Sequence, residues 1–431
     1  MRLGGRAQAA IEILDDLATR PRPVSVALRD WGTNHRFAGS KDRSSIGNLV
    51  YDAMRKRLSH GFAMQSDSGR ALVISVLVRD WGVAPDAISA EFDGDRFAPE
   101  RLTDQEIALL ENPDPLSGAP DHVRADLPEW LVPQFKAAFG ETWIQEGQGL
   151  ATRPGLDLRV NALTSTRERV IKRLKRFSPA PAPIAPDGLR IPSGDGDTRT
   201  PNVQADEAYQ KGWVEIQDEG SQIVSLLAGA KPGDQVLDLC AGGGGKTLAL
   251  AAQMQNRGQL FAYDADYHRL APIYERLKRN QVRNCQVRKP EPASLDDLEG
   301  KMDLVLVDAP CTGTGTWRRH PDTKWRLTPD QVAARVGEQA DLLEQAASFV
   351  KPGGNLVYIT CSVLAEENSQ QIEGFIEKSG IFSPADSAAL WSAAFPSAPL
   401  PAFSNAGITL SPARTQTDGF FISVLTRAAT A

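Results

Sequence analysis

Val236-Leu237-Asp238-Leu239-Cys240-Ala241-Gly242-Gly243-Gly244-Gly245-Lys246-Thr247 runs from a short apolar stretch into four glycines. A helix-forming run, Thr247-Leu248-Ala249-Leu250-Ala251-Ala252, follows at once. Strand, Gly-rich turn and helix in that order make the opening unit of a doubly wound α/β domain. Glycine lets the backbone approach a ligand closely, and a helix N-terminus offers unpaired N–H groups. A tight turn without a ligand would look much the same, so the downstream strands have to separate the two cases.

Leu260-Phe261-Ala262-Tyr263-Asp264 reads as the second strand. Its terminal carboxylate can accept both ribose hydroxyls of an adenosine-containing cofactor. Gly242 and Lys246 stand too close together for the phosphate-cradling loop G-x-x-x-x-G-K-[ST]. An adenosine without phosphates therefore fits better than a nucleotide, and S-adenosylmethionine (SAM) meets that description.

Further strands are expected near 284–288, 303–308 and 354–360, with helices near 246–256, 267–280, 329–350 and 366–379. A final alternating run, Gly419-Phe420-Phe421-Ile422-Ser423-Val424-Leu425, reads as an antiparallel edge strand. Upstream, Ala7, Ala10, Ile11, Leu14 and Leu17 recur at helical spacing. Segments 24–35, 42–59 and 69–81 also read as helices, so 1–125 is expected to be all-helical. Lys41, Arg43, Arg55, Lys56 and Arg57 make it locally basic, as a solvated face or an RNA contact would. Four prolines in 111–129 read as a linker. Leu156–Asn161 alternates as a strand, and 166–176 reads as a helix with six basic residues and one acid, which suits a phosphate-facing element. Residues 178–200 read as an irregular connector.

At 431 residues the chain exceeds a typical single domain, and 41% apolar with 24% charged residues is ordinary globular composition. The net charge of −6 argues against a protein that coats nucleic acid indiscriminately, while leaving room for a local basic groove. Cys240, Cys285, Cys311 and Cys361 lack paired metal-ligand spacing, so neither a metal nor a disulfide framework is expected. With no secretory signal and no membrane-length apolar run, a cytoplasmic protein with free thiols is expected.

Two of the cysteines end strands. Met302–Asp308 is followed by Ala309-Pro310-Cys311, and Asn355–Thr360 by Cys361-Ser362. Ligands bind at the carboxyl ends of strands in an open parallel sheet. Both thiols and Asp308 would then face one substrate beside the cofactor. Methylation of a pyrimidine carbon needs this set. C5 of cytosine is a poor nucleophile until a thiolate adds at C6, a carboxyl group at the N3/N4 edge drains the ring charge, and the C5 proton finds a way out. Cys361 or Cys311 can be the thiolate, with Asp308 as the edge reader.

The stretches D-L-C-A-G-G-G-G-K-T, D-A-P-C-T-G-T-G-T-W-R-R-H-P-D-T-K-W, Y-I-T-C-S-V-L-A-E-E-N and T-D-G-F-F closely resemble the RsmB/Sun family of RNA 5-methylcytosine methyltransferases over roughly 128–431. The helical first domain resembles, more loosely, the NusB-like RNA-binding domain of the RsmB branch. The resemblance implies that Cys361 is the nucleophile and that Cys311 assists product release. It also implies that Cys240, Ala241, Gly242, Gly243, Gly244, Gly245, Lys246, Asp264 and Asp308 line the SAM pocket. The chain departs from the family pattern twice. Gly242-Gly243 replaces Ala-Pro, and Arg288-Lys289-Pro290-Glu291 follows the third strand where the family has an Asp, leaving Glu291 as the available acid.

The expected architecture is α/β: a Rossmann-like SAM-dependent methyltransferase domain (201–431) preceded by an all-helical NusB-like domain (1–125) and a small α+β RNA-binding subdomain with connector (126–200). The expected activity is cytosine-C5 methylation of RNA, with small-subunit ribosomal RNA as partner, by a monomer. Arg318, Arg319, His320 and Lys324 are expected to hold the RNA backbone around a base drawn from its stack. A tRNA enzyme, or a catalytically silent assembly factor binding SAM and RNA, are the alternatives.

Overall fold

A computed structural model of the chain describes residues 1–94, 96–194 and 196–429. It divides into two compact units, one of residues 1–154, 193–200 and 317–327, the other of 155–192, 201–316 and 328–431. The composition-based boundaries at 125 and 200 do not coincide with this division: residues 126–154 pack with the helical unit, where Phe135 stacks on Trp317.

The helical unit opens with Leu3–Thr19, whose Ala7, Ala10, Ile11, Leu14 and Leu17 are all buried, as their spacing predicts. Helices Val24–Asn34, Ser40–Arg55 and Gly69–Ser75 pack with it around Ile46, Leu49, Val50, Ile74 and Leu77. Two expected helices are interrupted. The one expected over 42–59 breaks at Lys56 before a second helix, Arg57–Ala63, and the one over 69–81 becomes a π-turn at Val76–Asp80.

In the other unit, β1 (Leu156–Val160), β2 (Ala180–Pro181), β3 (Gly188–Ile191) and β4 (Val214–Ile216) form an antiparallel sheet in the order β2-β3-β1-β4. The larger sheet contains β5 (Gln235–Asp238), β6 (Gln259–Ala262), β7 (Cys285–Val287), β8 (Met302–Asp308), β9 (Val350–Thr360), β10 (Phe382–Pro384), β11 (Ala402–Ser404), β12 (Gly407–Leu410) and β13 (Phe420–Arg427). Its order is β11-β12-β13-β9-β8-β5-β6-β7, with β10 also on β13. Strands β5 to β9 are parallel, and the chain reverses sheet direction between β5 and β8, the crevice where doubly wound folds bind ligands. Val236, Leu237, Val305, Leu306, Val357 and Ile359 are fully buried, as expected of strands covered on both faces.

The closing strand corrects one expectation. β13 is antiparallel but lies inside the sheet, between β9 and β12. The hairpin β11–β12 covers the side that was expected to be an edge, and Phe420, Phe421 and Ile422 are all buried. No helix among the described residues is long and apolar enough to cross a membrane.

Candidate active site at the carboxyl ends of the parallel strands

The site forms where β5, β6, β8 and β9 end. Beyond β5 the backbone turns sharply, with Gly242 at φ 49° and Gly244 at φ 84°, conformations that glycine adopts without steric cost. A side chain at Gly244 would also strike Ile273, whose side chain lies 2.6 Å from where its Cβ would stand. The helix Gly245–Gln253 starts immediately, so its free N–H end faces the turn. Asp264, past β6, holds this turn: its Oδ2 accepts from Gly242 N at 2.9 Å and its Oδ1 from Asp266 N at 2.9 Å. Arg276 braces the far side, donating to Gly243 O and pairing with Glu215 at 2.9 Å.

Three carboxylates close this end of the crevice. Asp238 is fully buried and accepts from Thr247 Oγ1 at 2.6 Å through one oxygen, while the other, Oδ1, is buried without a partner. Burial, reinforced by Asp308 and Asp264, pushes its carboxyl up to about 7 against the Thr247 hydrogen bond and Lys246. Lys246 is buried and pairs with Asp308 at 2.6 Å, and the Asp308 side chain is 34% exposed, open to an incoming group. Cys240 is half-buried, and burial followed by the same carboxylates pushes its thiol up. The orphaned Asp238 oxygen, the acidic cluster and the Cβ-free turn at Gly242 fit a ligand that carries positive charge and approaches the backbone, as SAM does.

The two strand-end cysteines meet on the neighbouring side. β8 and β9 pair in parallel with Asp308 opposite Ile359, which brings Cys311 Sγ within 3.3 Å of Cys361 Sγ. Both thiols are free and half-buried. Cys311 is held well above the ordinary thiol range, first by its hydrogen bond to Cys361, then by burial and by the charges of Cys361 and Glu367. The loop carrying it is strapped to the end of β9. Gly315 N donates to Cys361 O at 2.9 Å, and Val363 N donates to Thr314 Oγ1 at 2.9 Å. Gly419, the glycine of T-D-G-F-F, donates to Gly315 O at 2.8 Å. A side chain at Gly315 would put its Cβ 2.1 Å from Gly419 O, so this crossing requires glycine.

Other expectations are corrected. Arg318 and Lys324 are buried in the helical unit, where they cannot hold an RNA backbone. Lys324 Nζ donates to Arg55 O at 3.1 Å and Asp126 O at 2.6 Å, and burial lowers its ammonium to about 8 despite Asp126. His320 is exposed and Arg319 half-buried. In the basic segment, Arg173 and Arg176 bind Asp206 at 3.1 and 2.7 Å, and Arg169 lies 3.8 Å over the Trp213 ring. That leaves Lys172 and Lys175 as its exposed lysines. In the helical unit Arg55 pairs with Asp52 and Lys56 with Asp80, both at 2.6 Å, so these charges of the basic cluster are taken up internally. Glu291 is exposed, while Arg288 lies 4.8 Å over Phe261 and pairs with Asp297 at 2.7 Å. The residues that sequence reasoning passed over are braces: Arg276, Gln339 and Glu367, the last lying unassigned within Y-I-T-C-S-V-L-A-E-E-N.

A Rossmann-like parallel sheet with a Gly-rich first turn, an acid just past its second strand and an antiparallel strand set beside β9 is the architecture of a SAM-dependent methyltransferase domain, the class that the relatives share. Residues 225–426 match the family of 16S rRNA methyltransferases RsmB/F, and residues 127–195 match the ferredoxin-like domain of RsmF/B-like methyltransferases. Ribosomal RNA small subunit methyltransferase B of Enterobacter sp. (strain 638) is 33% identical over 304 residues, 69% of this chain and 66% of the relative. The chain thus spans slightly under two thirds of that curated relative, and 58% of the one from Photorhabdus laumondii. The crystal structure of PH0851 superposes with a TM-score of 0.71 at 25% identity, covering 99% of this chain and 100% of the other. A methyltransferase homolog protein from Pyrococcus horikoshii gives 0.59 at 28% identity over 71% of this chain and 97% of its own. The chain belongs to the RsmB/F methyltransferase family, and SAM is the cofactor of that family's fold.

Proposed function

We propose that the chain methylates C5 of a cytosine in small-subunit ribosomal RNA through a covalent bond between Cys361 and C6. The observation that carries the reading is the 3.3 Å approach of Cys311 and Cys361 beside Asp308. Cys361, the cysteine of T-C-S, is taken as the attacking sulfur on the family pattern, with Cys311 as its hydrogen-bonded neighbour. Asp308, paired with Lys246 yet partly open, faces the N3/N4 edge of the base and steadies the charge that develops on the ring. SAM, when bound, supplies an electrophilic methyl group. The Gly242–Lys246 turn and Asp264 hold that cofactor's adenosine end, and Lys246 keeps Asp308 in place. Once C5 has been methylated, the C5 proton passes to solvent as the C5–H electron pair re-forms the C5=C6 bond and expels Cys361, and Cys311 assists that release by sharing its proton with the departing sulfur.

The relatives' assignment to the ribosomal small subunit supports ribosomal RNA as the substrate. With tritiated methyl-SAM and ribosomal RNA, wild-type protein should incorporate label. Cys361→Ala should incorporate none while still binding SAM in calorimetry. Turnover by Cys361→Ala would overturn the assignment of the nucleophile.

A further inference from the structure

Glu367 lies in the short turn after β9 and is fully buried, yet the chemistry above gives it no task. Its Oε1 accepts from Thr312 N at 2.8 Å and from Gln339 Nε2 at 3.0 Å, and its other oxygen accepts from the Thr312 hydroxyl. Gln339, on the helix Pro329–Phe349, also donates to Pro310 O at 2.9 Å. The carboxylate and the amide together therefore grip both neighbours of Cys311. No lysine, arginine or histidine lies within ion-pair distance of Glu367 among the described residues; its partners are neutral donors. Its charge is thus compensated by dipoles alone in a low-dielectric setting, where it acts strongly on nearby ionisable groups. The ionisable groups that bear on Cys311 are Cys361, just past β9, and Glu367, from the turn, with the Tyr358 hydroxyl of β9 nearby, donating to Glu367 O at 2.8 Å. Glu367 is fixed to the cysteine's own loop by two hydrogen bonds, both from Thr312.

We infer that Glu367 is a positioning residue that keeps the thiol pair's shared proton on Cys311 and so leaves Cys361 as the sulfur that attacks. The inference rests on the proposed two-cysteine chemistry and adds what makes two like residues, 3.3 Å apart, unequal. A negative charge beside Cys311 disfavours its thiolate, and the raised thiol of Cys311, to which Glu367 contributes after Cys361 and burial, agrees with this. The Gly313 N–H acts in the opposite sense.

The test is the pH profile of alkylation by iodoacetamide, read by mass spectrometry on the separate peptides that hold Cys311 and Cys361. Glu367→Gln keeps an acceptor for Thr312 N and Gln339 and removes the charge, while the Thr312 hydroxyl can turn to accept from the new amide. The midpoint for Cys311 should fall by about one pH unit, a ~10-fold faster reaction at a fixed pH below it. Glu367→Asp, which keeps the charge, should hold the midpoint higher than Glu367→Ala does, and this pair decides the matter if Glu367→Gln does not fold. A Cys311 profile in Glu367→Gln that superimposes on wild type, or equal shifts in the Asp and Ala variants, would overturn the inference. The measurement needs neither RNA nor turnover, so activity in Cys361→Ala would defeat the proposed nucleophile while leaving the effect of Glu367 on the thiols to be read by itself.

Discussion

Strand β5 ends in a carboxylate, Asp238, and β6 is followed by another, Asp264, whereas the loops after β8 and β9 carry thiols, Cys311 and Cys361. On the carboxylate side, the backbone makes the site: a glycine turn, its N–H groups and a helix start, with Asp264 holding the turn in place. On the thiol side, side chains make most of it, and the cysteine loops are braced from the turn after β9, a helix and the loop before β13: Glu367, Gln339, Thr314 and the Gly315–Gly419 crossing. The remaining cysteines show what such bracing adds. Cys240 and Cys285 are single thiols pushed up chiefly by burial, Cys285 to about 12. Cys311 has, besides burial, a second sulfur to share a proton with. A backbone cradle suits a cofactor that only has to be held, and braced side chains suit a pair whose protons must move in order.

The largest effect expected on the carboxylate side comes from Asp238. Its folded carboxyl, raised from 3.8 to about 7, keeps a proton that the unfolded chain releases. Stability of the SAM-free protein should therefore fall as pH rises from about 4 to about 7, by up to about 1.4 kcal/mol per pH unit from this group, and level off above. Asp238→Asn imitates the protonated acid and should flatten that slope in urea unfolding at pH 5 and pH 7. Parallel slopes for the two proteins would mean that the orphaned oxygen finds compensation in solution, and the carboxylate side would lose its distinguishing strain.

Asp264 should give the next largest effect. Asp264→Asn loses the charge and one of two acceptors for Gly242 N and Asp266 N. SAM affinity in calorimetry should drop by about 1.5–3 kcal/mol, or about 10- to 150-fold, with RNA affinity little changed. Equal loss of both ligands would show that the carboxylate end is not a separate cofactor cradle.

The smallest effect lies away from both strand ends. Lys172→Glu with Lys175→Glu should weaken RNA binding and reduce the slope of log affinity against log salt by about 0.7 per lost phosphate contact. Substituting Arg173 or Arg176 should act mainly through Asp206, which caps the helix Glu207–Gln210, and so lower stability. An unchanged salt slope in the lysine variant would return the segment to a solvated surface.

Much of the sheet was legible because buried parallel strands are continuous apolar runs: those around Val236, Leu260, Leu304 and Leu356 each stand out from their turns. The strand-end acids and cysteines followed from where those runs stop. The charged segments were harder, since a sequence displays a charge without its partner. Lys324 reads as an RNA contact until Arg55 O and Asp126 O, far away in the chain, are seen to accept its hydrogen bonds. Arg173 and Arg176 likewise share a partner, Asp206, on a different element. β13 looked like an edge because Ala402–Leu410, the hairpin beside it, is short and broken by the turn at Asn405-Ala406. Glu367 gave no sign of its burial, as its neighbour Glu366 is the same residue type and is half-exposed.

The most direct test of the division of labour between the thiols is covalent trapping. Each variant is incubated with SAM and labelled RNA and run on a denaturing gel, where protein joined to RNA migrates slowly. Cys311→Ala should accumulate the slow band, because methylation proceeds but release of Cys361 from C6 stalls. Cys361→Ala and the double variant should show none. A slow band from Cys361→Ala that vanishes in Cys311→Ala would contradict the account and assign the attack to Cys311.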